Sequence, residues 1–361
     1  MGPLAGLRVV EFAGLGPGPF AAMLLADLGA EVVRIERPGA VELLPLARDM
    51  LLRGRAARVA LDLKTAEGQA AAFALAARAD ALIEGFRPGV MERLGLGPGP
   101  LLAANPGLAY GRMTGWGQDG PLADRAGHDI TYIALSGALD AIGEAGRGPV
   151  PPLNLLGDFG GGAMYLVTGI LAARLSGQGQ VIDAAITEGT AHLSTMLYSL
   201  RAGGLWPGGR GENILDGGMP YYRCYACACG DWVAVGAIEP QFYAALLAGL
   251  DLTDDPRFAR QQDRAAWPAM AEGFAAAFAA RTRDDWADRF AGTDACVAPV
   301  LSADEAAAHP QAAARGIFAA PMGVPEPVPA PRFSATPATL RPEAGPERSA
   351  EAILSDWEDR P

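Results

Sequence analysis

Lysine is nearly missing from this chain. Lys64 is the only one, and arginine supplies the rest of the 29 basic side chains. Acids outnumber bases, giving a formal net charge of −12, which excludes a general nucleic-acid binder because that class needs a basic face for phosphates. An anionic ligand would need a local basic patch against that background. Four cysteines in 361 residues cannot form the dense framework of a disulfide-stapled protein. Three of them, Cys224, Cys227 and Cys229, crowd the segment YYRCYACACGDWVAV. On a strand, the odd spacing of Cys224 and Cys227 sends them to opposite faces, and no second pair of ligands follows. A β-hairpin turning at Gly230-Asp231 is expected there, and no metal. No apolar run reaches the ~18 residues of a membrane span. The start, MGPLAGLRVVEF, lacks the basic-then-apolar order of a signal peptide. A cytoplasmic protein with no membrane and no nucleic-acid partner is therefore expected.

What is present is an alternation of strands and helices. LRVVEF reads as a buried strand, AGLGPGP as a turn, FAAMLLADLGA as a helix that Gly29 can end, and EVVRIERP as a second strand. VALDL, ALIEGF, GLAYGRMTG and QVIDAAI continue the strands. The helix EGQAAAFALAARA is opened by Thr65, and GGGAMYLVTGILAARL is a long apolar helix. This is the pattern of an α/β fold with a mostly parallel sheet, helices on both faces. Residues 188–200 continue as helix. A large domain over 1–200, a glycine-rich linker over 201–220 and a small α+β domain over 221–300 are expected. A proline-rich return linker over 301–345 then leads to a C-terminal helix, within 346–361, that docks back on the large domain.

Several segments carry residues with chemistry. The turn Gly14-Leu15-Gly16-Pro17-Gly18 invites a dinucleotide reading, with Glu36 about 20 residues on. Pro19 stands where the last glycine of that motif belongs. Pro17 and Pro19 also remove N–H donors that a pyrophosphate would use. A tight strand-to-helix turn explains the segment without a nucleotide. Asp158, in PPLNLLGDFGGGAM, reads as a helix N-cap by position. The three glycines after it exceed what a cap needs, and their N–H groups suit a developing oxyanion. His128, in AGHDITY, is one of three histidines and forms, with an aspartate, an acid/base pair if the two face one cleft. A satisfied structural histidine is the alternative. Glu239 follows an apolar strand and reads equally as a solvated charge. Of the basic residues Arg34, Arg37, Arg53, Arg55, Arg58, Lys64, Arg87 and Arg93, about half suit ordinary surface. The rest suit an anion patch on the carboxyl edge of the sheet.

At these residues a resemblance emerges. LAGLRVVEFAGLGPGPFAAMLLADLGAEVVRIERP, LDLK, EGFRPGVMERLGLG, AGHDITY, PPLNLLGDFGGGAM and GAIEPQFY resemble the α-methylacyl-CoA racemases, bacterial ones above all, within the family III CoA-transferase superfamily. The likeness runs from Leu4 to about Pro331. It implies a Rossmann-like large domain, a smaller domain between two linkers, and an interlocked homodimer. It implies an acyl-CoA substrate and no cofactor beyond the CoA that the substrate carries. His128 and Asp158 match the two catalytic bases, and Glu239 the carboxylate that orients the histidine. Tyr132 and Asn154 match polar groups near the thioester. Arg37, Lys64, Arg87 and Arg93 match positions that handle CoA. Gly160 and Gly161 fall in the glycine cluster proposed above to receive the enolate oxygen. The chain is one residue longer than the usual pattern between Arg53 and Asp62, so Arg53, Arg55 and Arg58 take no role from the resemblance, and neither does Cys296. The implied activity is inversion of the carbon beside the thioester by proton transfer through an enolate. A CoA-transferase with Asp158 as nucleophile competes with it, and so does a non-catalytic acyl-CoA-binding protein. His128 separates them, since a nucleophilic carboxylate needs no second base. The acyl chain is left open; Met164, Met196 and Met219 suit a compliant apolar surface or plain core packing.

Overall fold

A computed structural model describes residues 2–39, 46 and 48–358. The chain divides into two compact units. One takes in Met1–Ser136, Pro152–Leu193 and Pro310–Pro361, the other Gly137–Pro151 and Ser194–His309.

The first unit is built on six strands: β1 (Arg8–Phe12), β2 (Glu31–Glu36), β3 (Ala57–Ala60), β4 (Ala81–Glu84), β5 (Ala109–Thr114) and β6 (Gln180–Ala185). They lie in the order β3-β2-β1-β4-β5-β6, and every pairing is parallel. Parallel strands are covered on both faces, which is why β1, β2 and β4 read as nearly unbroken apolar runs. Side chains alternate between two clusters. Val10, Phe12, Val33, Ile35 and Leu82 join the Ala66–Ala77 helix and the C-terminal helix Ala350–Glu358. Val9, Val32, Ala81 and Ile83 join the helices Pro17–Asp27 and Met164–Ser176. The strand order reverses between β1 and β4, and sheets of this kind bind ligands in the crevice at the carboxyl ends beside such a reversal.

The expected glycine-led helix has a different start. Leu155–Ala163 forms a π-helix, wider than an α-helix, and Met164–Ser176 continues it as α-helix. Together, over Leu155–Ser176, they make 22 residues with a hydropathy of 1.4, long and apolar enough by composition to cross a membrane. Here Leu166, Val167, Ile170 and Ala173 of that helix are buried with side chains of the sheet, the usual place of a crossover helix.

The second unit holds three antiparallel strands in the order β7 (Tyr222–Ala226), β8 (Trp232–Gly236), β9 (Val297–Pro299). The hairpin turns at Gly230 (φ 87°), as expected. The four cysteines are free thiols, and no cluster of metal-ligating side chains occurs among the described residues. The helices Pro240–Gly249, Trp267–Phe278 and Arg283–Phe290 pack an aromatic core that includes Tyr225, Phe258, Phe274, Phe278 and Trp286.

The expected boundaries need revision. This unit is larger than 221–300, because Gly137–Pro151 and Ser194–Pro220 belong to it. The helix expected over 188–200 is two, Ile186–Leu193 and Thr195–Ala202, separated at Ser194. The stretch 201–220 is not a plain spacer. Asn213, fully buried, accepts from Gly208 N–H at 2.8 Å and donates to the Gly209 carbonyl at 2.6 Å. Asp216 accepts from the N–H groups of Gly211, Asn213 and Gly218. Local polar side chains thus satisfy a glycine-rich backbone. The proline-rich return is likewise stapled to the first unit. Glu326, fully buried, accepts from Arg48 at 2.8 Å, and Arg53 donates to the Pro327 carbonyl at 2.7 Å.

Candidate functional site at the carboxyl edge of the first unit

The loop after β5 carries His128, and the crossover to β6 carries Asp158. His128 is the N-cap of the short helix Asp129–Leu135. Its backbone N–H donates to Thr131 Oγ1 at 3.0 Å, and the Thr131 hydroxyl donates back to the His128 carbonyl at 2.7 Å. The imidazole itself is exposed. The next residue, Asp129, is buried and accepts the Asp158 N–H at 2.7 Å. That bond ties the two segments together. A side chain at Gly157 would overlap the Asp129 carboxyl, so the approach depends on that glycine.

Asp158 itself is half-buried in the first turn of the π-helix. Its pKa is pushed up to about 6, first by burial and then by the negative charge of Asp129. A hydrogen bond from Asn154 and the charge of His128 pull the other way without winning. The carboxyl lies against the glycine turn that follows β1: a Cβ on Gly16 (φ 64°) would stand 3.0 Å from Asp158 Oδ2. Phe20 stacks on Phe159 with ring centroids 4.3 Å apart, which pins the π-helix to the Pro17–Asp27 helix.

Tyr132 completes the group. Burial raises its pKa, the charge of Asp158 adds to that, and Arg87 opposes it. Its ring meets Trp116 edge-on at 4.7 Å and sits where side chains at Gly115 and Gly127 would overlap it. Those two glycines shape a slot for one aromatic ring. Arg87 follows β4, so the group gathers over β1, β4 and β5, beside the reversal in strand order. Beneath it, the buried Glu84 accepts from Arg112 Nε at 3.0 Å and from Phe86 N–H at 2.8 Å, holding the loop that carries Arg87.

CoA-transferase family III matches residues 4–351. The chain belongs to that family. The mouse alpha-methylacyl-CoA racemase is 50% identical over 340 residues, 93% of this chain and 87% of the mouse protein. The human alpha-methylacyl-CoA racemase is 48% identical over 320 residues, 87% of this chain and 82% of the human one. A crystal structure of a CAIB/BAIF family protein from Brucella suis superposes with a TM-score of 0.80 at 27% identity, covering 99% of both chains.

In this member of family III, His128, Asp158, Asn154, Tyr132 and Arg87 come together through the contacts above. Arg37, Lys64 and Arg93 are exposed and stand apart from that group, in the segments after β2, β3 and β4, on the same carboxyl edge. Among the described residues none of Arg37, Lys64, Arg87 and Arg93 forms an ion pair with an acidic side chain. The other arginines singled out are committed. Arg34 and Arg55 share Glu11, Arg53 binds Asp27, and Arg58 meets Glu36. Glu239 belongs to the second unit, as the exposed N-cap of Pro240–Gly249, and its charge acts on Cys296.

Gly160 and Gly161 need correction. They lie inside the π-helix, where N–H groups bond carbonyls five residues back, so they are not free donors for an oxyanion. Gly161 instead allows close packing, since a side chain there would overlap Thr190 on the Ile186–Leu193 helix. Other donors are open: the N–H groups of Asp129 and Ile130, in the first turn beside His128, have no acceptor among the described residues. Sequence reading passed over Asp129, although an acid one residue from a candidate base at a helix start was a visible signal. It also gave Gly16, Gly115, Gly127 and Trp116 no part in the site, because only the fold supplies their neighbours.

Proposed function

We propose that this protein is a racemase of 2-methylacyl-CoA thioesters, inverting the α-carbon by taking a proton from one face and returning one to the other. The observation that carries the proposal is a carboxyl held near neutral pKa with an imidazole acting on it, at the crevice beside the strand reversal. A proton relay needs groups able both to accept and to donate at working pH, and Asp158 at about 6 meets that need where an ordinary carboxyl would not.

The α-proton of a thioester is weakly acidic, so the enolate oxygen must be stabilised as it forms. The Asp129 and Ile130 N–H groups suit that task, and losing one such bond typically costs about 10²–10³ in rate. In our assignment His128 takes the proton of the S epimer while protonated Asp158 supplies the other face, and the R epimer reverses these roles. Both directions use a pair that holds one proton, so both lose rate together below about pH 6, where a second proton occupies Asp158. We keep Glu239 as a third site residue, on the resemblance alone. Arg37, Lys64, Arg87 and Arg93 would meet the CoA phosphates along the strand ends. No redox group or metal enters this chemistry, and we extend the proposal to a cytoplasmic homodimer.

Incubation of each epimer of a 2-methylacyl-CoA in deuterated water tests the reading. Deuterium at the α-carbon with inversion supports it. Transfer of CoA to an added carboxylate would instead assign Asp158 as a nucleophile, the chemistry of the family's transferases. His128→Ala should lose exchange of the S epimer, and Asp158→Asn that of the R epimer. Full-rate exchange of the S epimer by His128→Ala would overturn the assignment of faces.

A further inference from the structure

The glycine-proline turn after β1 attracted attention in the sequence and found no part in a nucleotide site. Its place against Asp158 gives it one. We propose that Gly16, Pro17 and Pro19 form a donor-poor wall that holds the Asp158 carboxyl without hydrogen-bonding it, and so positions it as a proton relay rather than a fixed anion. This rests on the racemase reading for its purpose, though not for its test.

The start of an 11-residue helix is ordinarily a poor place for a carboxyl that must pick up protons. Its first N–H groups are unpaired and positively polarised, and they bind and stabilise a carboxylate. Accepting two or three such N–H bonds drops a carboxyl far below its usual range. Here the N-cap is Gly16, which has no side chain, and its missing Cβ makes room for Asp158 Oδ2. The first and third helical residues are Pro17 and Pro19, which have no N–H. Of the first three donors only that of Gly18 exists, and no backbone donor of this turn acts on the carboxyl.

The remaining groups that face Asp158 come from other segments. Asp129 opposes its ionisation; His128 and Asn154 favour it; the Tyr132 phenol, itself affected by Arg87, lies within range of its charge. Glu188 and His192, on the helix packed behind, do not bear on it. With the acid at 129 and burial raising the carboxyl, a full set of helix N–H groups would cancel both.

The prolines also suit a first turn for conformational reasons alone, so the deciding readout is a titration. In the full-length Pro17→Ala/Pro19→Ala variant both N–H groups return. The Asp158 carboxyl is followed by carbon-13 NMR of aspartate-labelled protein, its resonance assigned by its loss in Asp158→Asn. The midpoint should fall from about 6 by roughly one unit, toward the ordinary range. The acid limb of kcat/KM should fall with it, so that at pH 5 the variant keeps roughly five times more of its neutral rate than the parent. A midpoint that moves by less than about 0.3 unit, against the ~1 unit expected, overturns the inference. Should the paired variant fail to fold, Pro19→Ala alone is read the same way. A shifted midpoint in a protein without racemase activity would overturn the function and leave the wall standing.

Discussion

Replacing Asp158 by Asn should abolish racemisation and at the same time stabilise the fold. The carboxyl has an ordinary value of 3.8 and is raised to about 6 in the folded chain. The folded state therefore binds more protons than the unfolded one between those values, so stability falls as pH rises through that window and the whole cost is present above it. About two units at ~1.4 kcal/mol each give a ceiling of ~3 kcal/mol. Asp158 is only half-buried, and water screens such a group, so about 1–1.5 kcal/mol is the realistic figure. Asn keeps an oxygen for the Asn154 hydrogen bond and drops the charge that burial and Asp129 penalise. Urea unfolding of parent and variant at pH 4 and pH 8 measures the effect. The variant should unfold at the higher urea concentration at pH 8, by about half a molar. The two should nearly coincide at pH 4. A variant less stable at pH 8, or a difference equal at both pH values, would refute the claim that the carboxyl is held ionised at a cost.

Other outcomes follow from the same contacts. Asp129→Asn keeps an acceptor for the Asp158 N–H but removes the opposing charge, so the acid limb of the rate profile should move down by roughly half a unit to one unit. Gly115→Ala places a methyl group in the Tyr132 ring, and overpacking of that kind should cost about 1–3 kcal/mol, read as a lowered melting temperature. Arg55→Leu leaves the buried Glu11 with Arg34 alone and strips the Pro19 carbonyl of its partner, so a loss of about 3–5 kcal/mol is expected in urea unfolding. An Arg55→Leu protein as stable as the parent would show that the pair adds nothing to the fold.

The strand and helix order was legible because it is written in local periodicity. Nearly continuous apolar runs at 8–12, 31–36 and 81–84 mark strands covered on both faces, whatever lies far away. His128, Asp158, Tyr132 and Arg87 were legible as residue types with a family's spacing around them. The large stretch after 200 was misread because glycine content signals flexibility only when nothing satisfies the backbone, and Asn213 and Asp216 do so there. The glycine cluster at 160–162 was misread because a π-helix and an α-helix start have the same local composition.

The sequence alone determined the alternation of elements and the scarcity of lysine, and it put forward His128 and Asp158 as candidate reacting groups. Only the tertiary structure decided which arginines are spent on Glu11 and Asp27, and that a turn at position 16 meets a carboxyl at 158. The reason is physical. Propensity and periodicity act over a few residues, whereas burial, charge pairing and a shifted pKa depend on which strand ends the crossovers bring side by side.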